Sequence, residues 1–281
     1  MFNKVIAGVD EQGGGRNAIA LAAELAAEGC RLTLAYVYSA VPSIWTRSSA
    51  LYDAAVQEHA LDVLRNAANE ANLAADLRCY GSFSIGRGLH ELAELIDADL
   101  LVVGSSQHGA LGRVLLGDDT RAALDGAPCA VAVAPAGYAL HPPLFREIGV
   151  GYDGSPESTH ALAVARELAT ERGARISAFE AVSVPAVALS SGPASVDDCM
   201  QELLDAAGSR VSELDGVEPH AVYGQPAAEL ALYSASVDLL VVGSRGYGPF
   251  GRLVHDSTSH RLARIARCPL LVLPRAAGEP A

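Results

Sequence analysis

In two stretches of the chain, glycines, arginines and hydroxyl residues follow directly on a short apolar run. Residues 237–257 read VDLLVVGSRGYGPFGRLVHDS, and residues 98–118 read ADLLVVGSSQHGALGRVLLGD. Glycine lets a backbone amide approach an anion with no Cβ in the way, and a neighbouring hydroxyl or guanidinium adds a donor. The chemistry open to such loops is the holding of phosphate oxygens. Gly243, Arg245, Gly246, Arg252 and Ser257 are the candidate contacts in the later copy, and Gly104 and Gly117 in the earlier one. Two aspartates, Asp10 and Asp153, each end another apolar run. There they can accept hydrogen bonds from a polar ligand or cap the helix that follows.

These residues need elements to position them. Four or five apolar residues stopped by glycine mark a strand buried on both faces of a parallel sheet, and open α/β folds bind ligands beyond the carboxyl ends of such strands. In the first half, strands are expected at 4–9, 31–38, 75–80, 100–103 and 130–134. In the second half they are expected at 147–152, 175–182, 218–223, 239–242 and 270–273. Alanine-rich helical spacing lies between them, as at 17–28 and 159–172, each followed by a glycine (Gly29, Gly173) suited to a left-handed cap. Alternating strands and helices predict an α/β fold with two tandem open parallel five-stranded sheets flanked by helices. The domains are expected at 1–136 and 144–281. The segment 137–143, with Gly137, Pro142 and Pro143, is expected as the linker.

Composition excludes several functions. The chain of 281 residues carries a net charge of −13, shared between 9 Lys+Arg against 16 Asp+Glu in residues 1–142 and 11 against 17 in 143–281. An acidic surface repels phosphate backbones and anionic headgroups, so nucleic acid and membranes are not expected partners. Lys4 is the only lysine, which removes a P-loop lysine and a Schiff-base mechanism elsewhere in the chain. No apolar run is long enough for a membrane span and no signal-peptide pattern opens the chain, so a cytoplasmic protein is expected. The five cysteines show no CxxC spacing. Cys129 and Cys268 occupy matching places beside apolar strands and are expected to be small buried hydrophobes. Neither a metal site nor a Ser-His-Asp triad is assigned.

A first strand ending in aspartate, a fourth strand ending VVGS, a loop close to G-x2-G-x9-G-[ST] and a last strand after APC or RCP together resemble the universal stress protein family in its tandem form. The resemblance implies sheet order 3-2-1-4-5 in each half and pairing of the two domains within one chain, with a homodimer as a further assembly. It implies ATP or another adenine nucleotide as ligand, with or without Mg²⁺. Asp10 and Asp153 would then lie near adenine or ribose, together with backbone groups after the second strands at Val37, Ala181 and Val182, and the glycine loops would lie near the phosphates. A stress-response or regulatory role follows from it, without catalysis beyond slow nucleotide hydrolysis.

Neither copy holds the full motif. In the second, Gly243, Gly246 and Ser257 are in register, but Asp256 stands where the last glycine belongs. In the first, Gly104 and Gly117 are in register, with Gln107 for the middle glycine and Asp118 for the hydroxyl residue. An aspartate there caps a helix well, and it also repels a triphosphate by roughly 1 to 4 kcal/mol. Two expectations stand side by side. One is a site weakened toward ATP or suited to a less charged or Mg²⁺-bridged nucleotide, best kept in the second half. The other is an interaction module of the same fold that has lost nucleotide binding.

Overall fold

The computed structural model describes residues 1–11, 13–39, 49–105, 118–183, 193–244 and 258–274. The chain divides into two compact units, Met1–Pro142 and Pro143–Ala281. In the first, β1 (Phe2–Gly8), α1 (Gly14–Leu25), β2 (Ala26–Ser39), α2 (Ser49–Ala71), β3 (Asp76–Ser82), α3 (Ile85–Ile96), β4 (Leu100–Gly104), α4 (Asp118–Leu124) and β5 (Ala130–Ala134) alternate along the chain. The second repeats the pattern with β6 (Glu147–Gly151), α5 (Pro156–Arg172), β7 (Arg175–Val182), α6 (Pro193–Ser212), β8 (Glu218–Tyr223), α7 (Pro226–Tyr233), β9 (Leu239–Gly243), α8 (Thr258–Ile265) and β10 (Leu270–Leu273).

Strand order in the first unit is β3-β2-β1-β4-β5 and in the second β8-β7-β6-β9-β10, so each is the expected 3-2-1-4-5 sheet. The strand pairs within each unit are parallel. Helices cover both faces of such a sheet, and the central strands β4 and β9, both LLVVG, are accordingly apolar along their length. Leu100–Leu101 and Leu239–Leu240 are fully buried, as are the strand-one residues Val5, Ile6, Ile148 and Val150. At roughly 1.5–3 kcal/mol for each buried large side chain, this apolar seam is the main stabilising term of each unit. The helices meet it with periodic faces, such as Ala161, Leu162, Ala165, Leu168 and Ala169 on α5.

Several boundaries differ from the spacing, among them the starts of β2 at Ala26 and of α5 at Pro156 and both ends of the first helix. The helix expected at 17–28 runs from Gly14 to Leu25, and Ala26 is already extended at ψ 140. Gly29 does not cap it. Instead Gly29 takes φ 77 where the β1/β2 register moves from Phe2↔Ala26 to Lys4↔Arg31, an irregularity that needs a left-handed residue. Strand pairing at Phe2 therefore overrides the alanine propensity of residues 26–28. In the second unit Gly173 does cap α5, with φ 64. Within 137–143, Tyr138–Leu140 form a 3₁₀ turn in which Tyr138 is buried and the Ala139 amide donates to Asn17 Oδ1 at 3.0 Å.

Cys129 and Cys268 are buried beside β5 and β10, and burial pushes both thiols up to about 12. A neutral buried thiol is a poor nucleophile. Iodoacetamide at about pH 8 is therefore expected to leave Cys129 and Cys268 unmodified in the folded protein and to modify all five cysteines after unfolding in urea. Peptide mass mapping reads this directly, and rapid native alkylation of either residue would contradict their burial.

Candidate functional site

The carboxyl edge of each sheet is built from the turn after the first strand, the tip of the second and the end of the fourth. The last ladder bond to the first strand is Val9 N to Ala35 O at 2.8 Å in the first unit and Tyr152 N to Phe179 O at 3.0 Å in the second. In a parallel ladder successive peptide groups alternate between the two neighbouring strands. The peptide groups of Val37 and Ala181 therefore turn toward the side on which β1 and β6 have already ended. Val182 faces the other way, and its carbonyl accepts from Gly224 N at 2.9 Å. Val37 and Ala181 thus face the open edge beyond the first strands, while the Val182 carbonyl is taken by the residue that follows β8.

Asp10 and Asp153 sit at this edge in different local settings. Asp10 Oδ1 accepts from Gly15 N at 3.2 Å, so the carboxylate caps the first turn of α1. Asp153 Oδ1 accepts from Ser155 N at 3.0 Å and from the Ser155 hydroxyl, fixing the turn that precedes α5. Ser155 is the N-cap of that helix, its hydroxyl accepting from Ser158 N at 3.2 Å, and Pro156 follows at the first helical position.

Gly104 and Gly243 prove to have a packing role of their own. A Cβ at Gly104 would lie 2.6 Å from the Gly14 carbonyl carbon, and one at Gly243 would lie 2.5 Å from the carbonyl carbon and oxygen of Glu157. Each strand end therefore admits the backbone of a helix N-terminus against itself. The partial positive charge of that terminus then sits at the crevice between the first and fourth strands, where an anion is stabilised. Beside Gly104, Ser105 is fully buried and its hydroxyl has no hydrogen-bond partner among the described residues. Gly117, Arg245, Gly246, Arg252, Ser257 and Asp256 lie outside the described residues. Asp118 is the first residue of α4.

Two side-chain groups at these edges were not anticipated from the sequence. In the first unit Glu11 Oε1 accepts from the Tyr36 hydroxyl at 2.8 Å and lies 2.8 Å from His59 Nε2 on α2. The His59 bond and then the Tyr36 bond hold the Glu11 carboxyl below its usual range, while burial and then Glu11 push the Tyr36 phenol up to about 12. In the second unit Glu180 of β7 is buried and ion-paired with Arg210 of α6. A charge inside the apolar run RISAFEAV was the available signal. Among the described residues no cluster of three or more His, Cys, Asp or Glu is placed to hold a metal ion, and no helix is long and apolar enough to cross a membrane.

Two parallel 3-2-1-4-5 sheets with helix N-termini packed at their switch points define a tandem Rossmann-like protein. The chain belongs to the Universal stress protein family, which matches it twice, over residues 1–135 and 144–274. The universal stress protein Rv2005c of Mycobacterium tuberculosis is 34% identical over 183 residues, 63% of this chain and 62% of that protein, so the match spans less than two thirds of the relative's length. The Bacillus subtilis universal stress protein YxiE is 30% identical over 148 residues, 46% of this chain and 99% of its own. The solved structure of a universal stress protein from Archaeoglobus fulgidus superimposes with a TM-score of 0.68, covering 98% of this chain and 99% of that one at 16% identity. At that identity the likeness concerns the fold.

Proposed function

We propose that this protein is a cytoplasmic, nucleotide-linked regulatory module of a stress response, binding an adenine nucleotide at the carboxyl edge of its second unit. The observation that carries this is the convergence there of three ligand-fitting features. The Ala181 peptide group is turned past the end of β6, Asp153 holds the adjoining turn, and the N-terminus of α5 is packed against Gly243. A nucleoside offers donors to the first two, and a phosphate suits the helix terminus. The resemblance assigns Arg245, Gly246, Arg252 and Ser257 to the phosphates, with Mg²⁺ offsetting the charge of Asp256. The first unit, with Asp10, Val37, Gly104 and Gly117, is the weaker site, because Ser106 and Gln107 stand where the other unit has Arg245 and Gly246.

Equilibrium dialysis with ATP and Mg²⁺ tests this, alongside extraction of any nucleotide carried through purification. Binding is expected, and Asp153→Ala is expected to weaken it about tenfold or more, the effect of a lost charge-assisted hydrogen bond. Unchanged affinity in the variant would remove Asp153 from the site. The acidic residues at positions 118 and 256 favour a second reading, an interaction module without nucleotide. An absence of nucleotide binding by the unmodified protein would select it.

A further inference from the structure

Glu180 lies on β7 between Phe179, which takes the last β6 bond, and Ala181, whose peptide group faces the candidate site. Its side chain is only 5% exposed; Arg210 Nη1 donates to its Oε1, and its Oε2 has no hydrogen-bond partner among the described residues. Burial pushes the Glu180 carboxyl up, Arg210 opposes that, and the nearby charge of Asp153 adds to it. The stem of Arg210 lies against Gly154, where a Cβ would stand 2.8 Å from Arg210 Cδ, and Gly154 itself takes φ 76. One ion pair thus touches the second strand, the helix that follows it and the turn that carries Asp153.

The energetics argue against a purely stabilising role. Glu180 is buried but Arg210 is 41% exposed, so the pair does little more than offset the cost of taking the carboxylate out of water. What the pair does fix is position. The first unit repeats the connection with other chemistry. Tyr36 occupies the place of Glu180, one residue beyond the last ladder bond, and bonds Glu11, which follows Asp10 as Gly154 follows Asp153. Glu11 in turn meets His59 on the second helix of its unit.

We propose that Glu180 and Arg210 are a positioning pair of the second unit, holding the Asp153–Ser155 turn at the height at which a ligand crossing the sheet edge meets Asp153 and the Ala181 peptide. That the ligand is a nucleotide rests on the function proposed above, whereas the bracing of the turn does not. The pair acts through the turn and need not touch the ligand.

The test compares the full chain with Glu180→Gln, which keeps the shape and Arg210, and with Glu180→Gln combined with Arg210→Met, which removes both charges. Hydrogen exchange of peptides covering 153–158 is read against those covering β9, with Mg²⁺-ATP dialysis in parallel. The double variant is expected to keep the slow exchange of β9 while the turn exchanges about tenfold faster or more, and to bind Mg²⁺-ATP about tenfold more weakly. Glu180→Gln, which leaves no buried charge unpaired, is expected to show the same change in smaller measure. Parental exchange across 153–158 in both variants would overturn the proposal. So would a double variant in which turn and affinity are both parental while a third variant, Arg210→Met alone, is disturbed, because that marks only the cost of leaving the buried Glu180 charge unpaired. A loosened turn in a protein whose parent binds no nucleotide would sustain the positioning role and overturn the nucleotide instead.

Discussion

Gly243→Ala is expected to destabilise the second unit by about 3 kcal/mol, the upper range for an overpacked site, and to abolish nucleotide binding there. The added methyl would meet the carbonyl carbon and oxygen of Glu157 at 2.5 Å and its Cβ at 2.7 Å. Two of those atoms are backbone in the first turn of α5, so no side-chain rotation relieves the contact. The helix N-terminus must retreat, and with it the Ser155 cap and the Asp153 turn that the cap adjoins. Gly208→Ala is the control. It lies within α6 with nothing within 4 Å of its added Cβ, and is expected to stabilise by about 0.5–1 kcal/mol, as alanine does in a helix interior. Equilibrium urea unfolding followed by circular dichroism separates the two. Equal, small effects would mean that the strand end and the helix are not in the close contact described.

The second large effect concerns Asp256, which stands where the repeat's motif has a glycine. A carboxylate within a few ångströms of a triphosphate costs roughly 1 to 4 kcal/mol, so Asp256→Gly is expected to tighten ATP binding by about 5-fold to 1,000-fold. The chemistry gives this prediction two internal controls. Adenosine has no phosphate, so its affinity is expected to be unchanged by the substitution. Raising the salt to about 0.5 M shortens the screening length to a few ångströms and is expected to shrink the gain for ATP. A gain of equal size for adenosine would mean that the residue acts on the shape of the loop and not on charge.

Much of the fold was legible because buried parallel strands are written as uninterrupted apolar runs. β5 and β10 are such runs and occupy the residues the spacing marked, and β7 and β8 do so as well although Arg175, Glu180, Glu218 and His220 interrupt them. The first helix was misjudged at both ends, since alanine is at home in a helix and equally tolerated where Ala26 pairs with Phe2. The aspartates and strand-end glycines of the site were legible as motif positions, but the packing role of Gly104 and Gly243 was not. That role depends on which backbone crosses the strand end, a long-range fact that spacing does not carry. Glu180 was visible as a charge in an apolar run, yet its partner Arg210 lies 30 residues away and only the packing of α6 on β7 unites them. The Glu11, Tyr36 and His59 group joins the turn after β1 to β2 and α2 and leaves no local signature at all.

Calorimetric titration of the protein with ATP, with and without Mg²⁺, beside Asp256→Gly and Asp153→Ala, decides whether the second unit binds nucleotide. Mg²⁺-dependent binding is expected in the unmodified protein, with stronger binding in Asp256→Gly and weaker binding in Asp153→Ala. No heat with ATP in the unmodified protein or in Asp256→Gly, under either condition, would contradict this and leave the two-unit fold as a scaffold for protein partners.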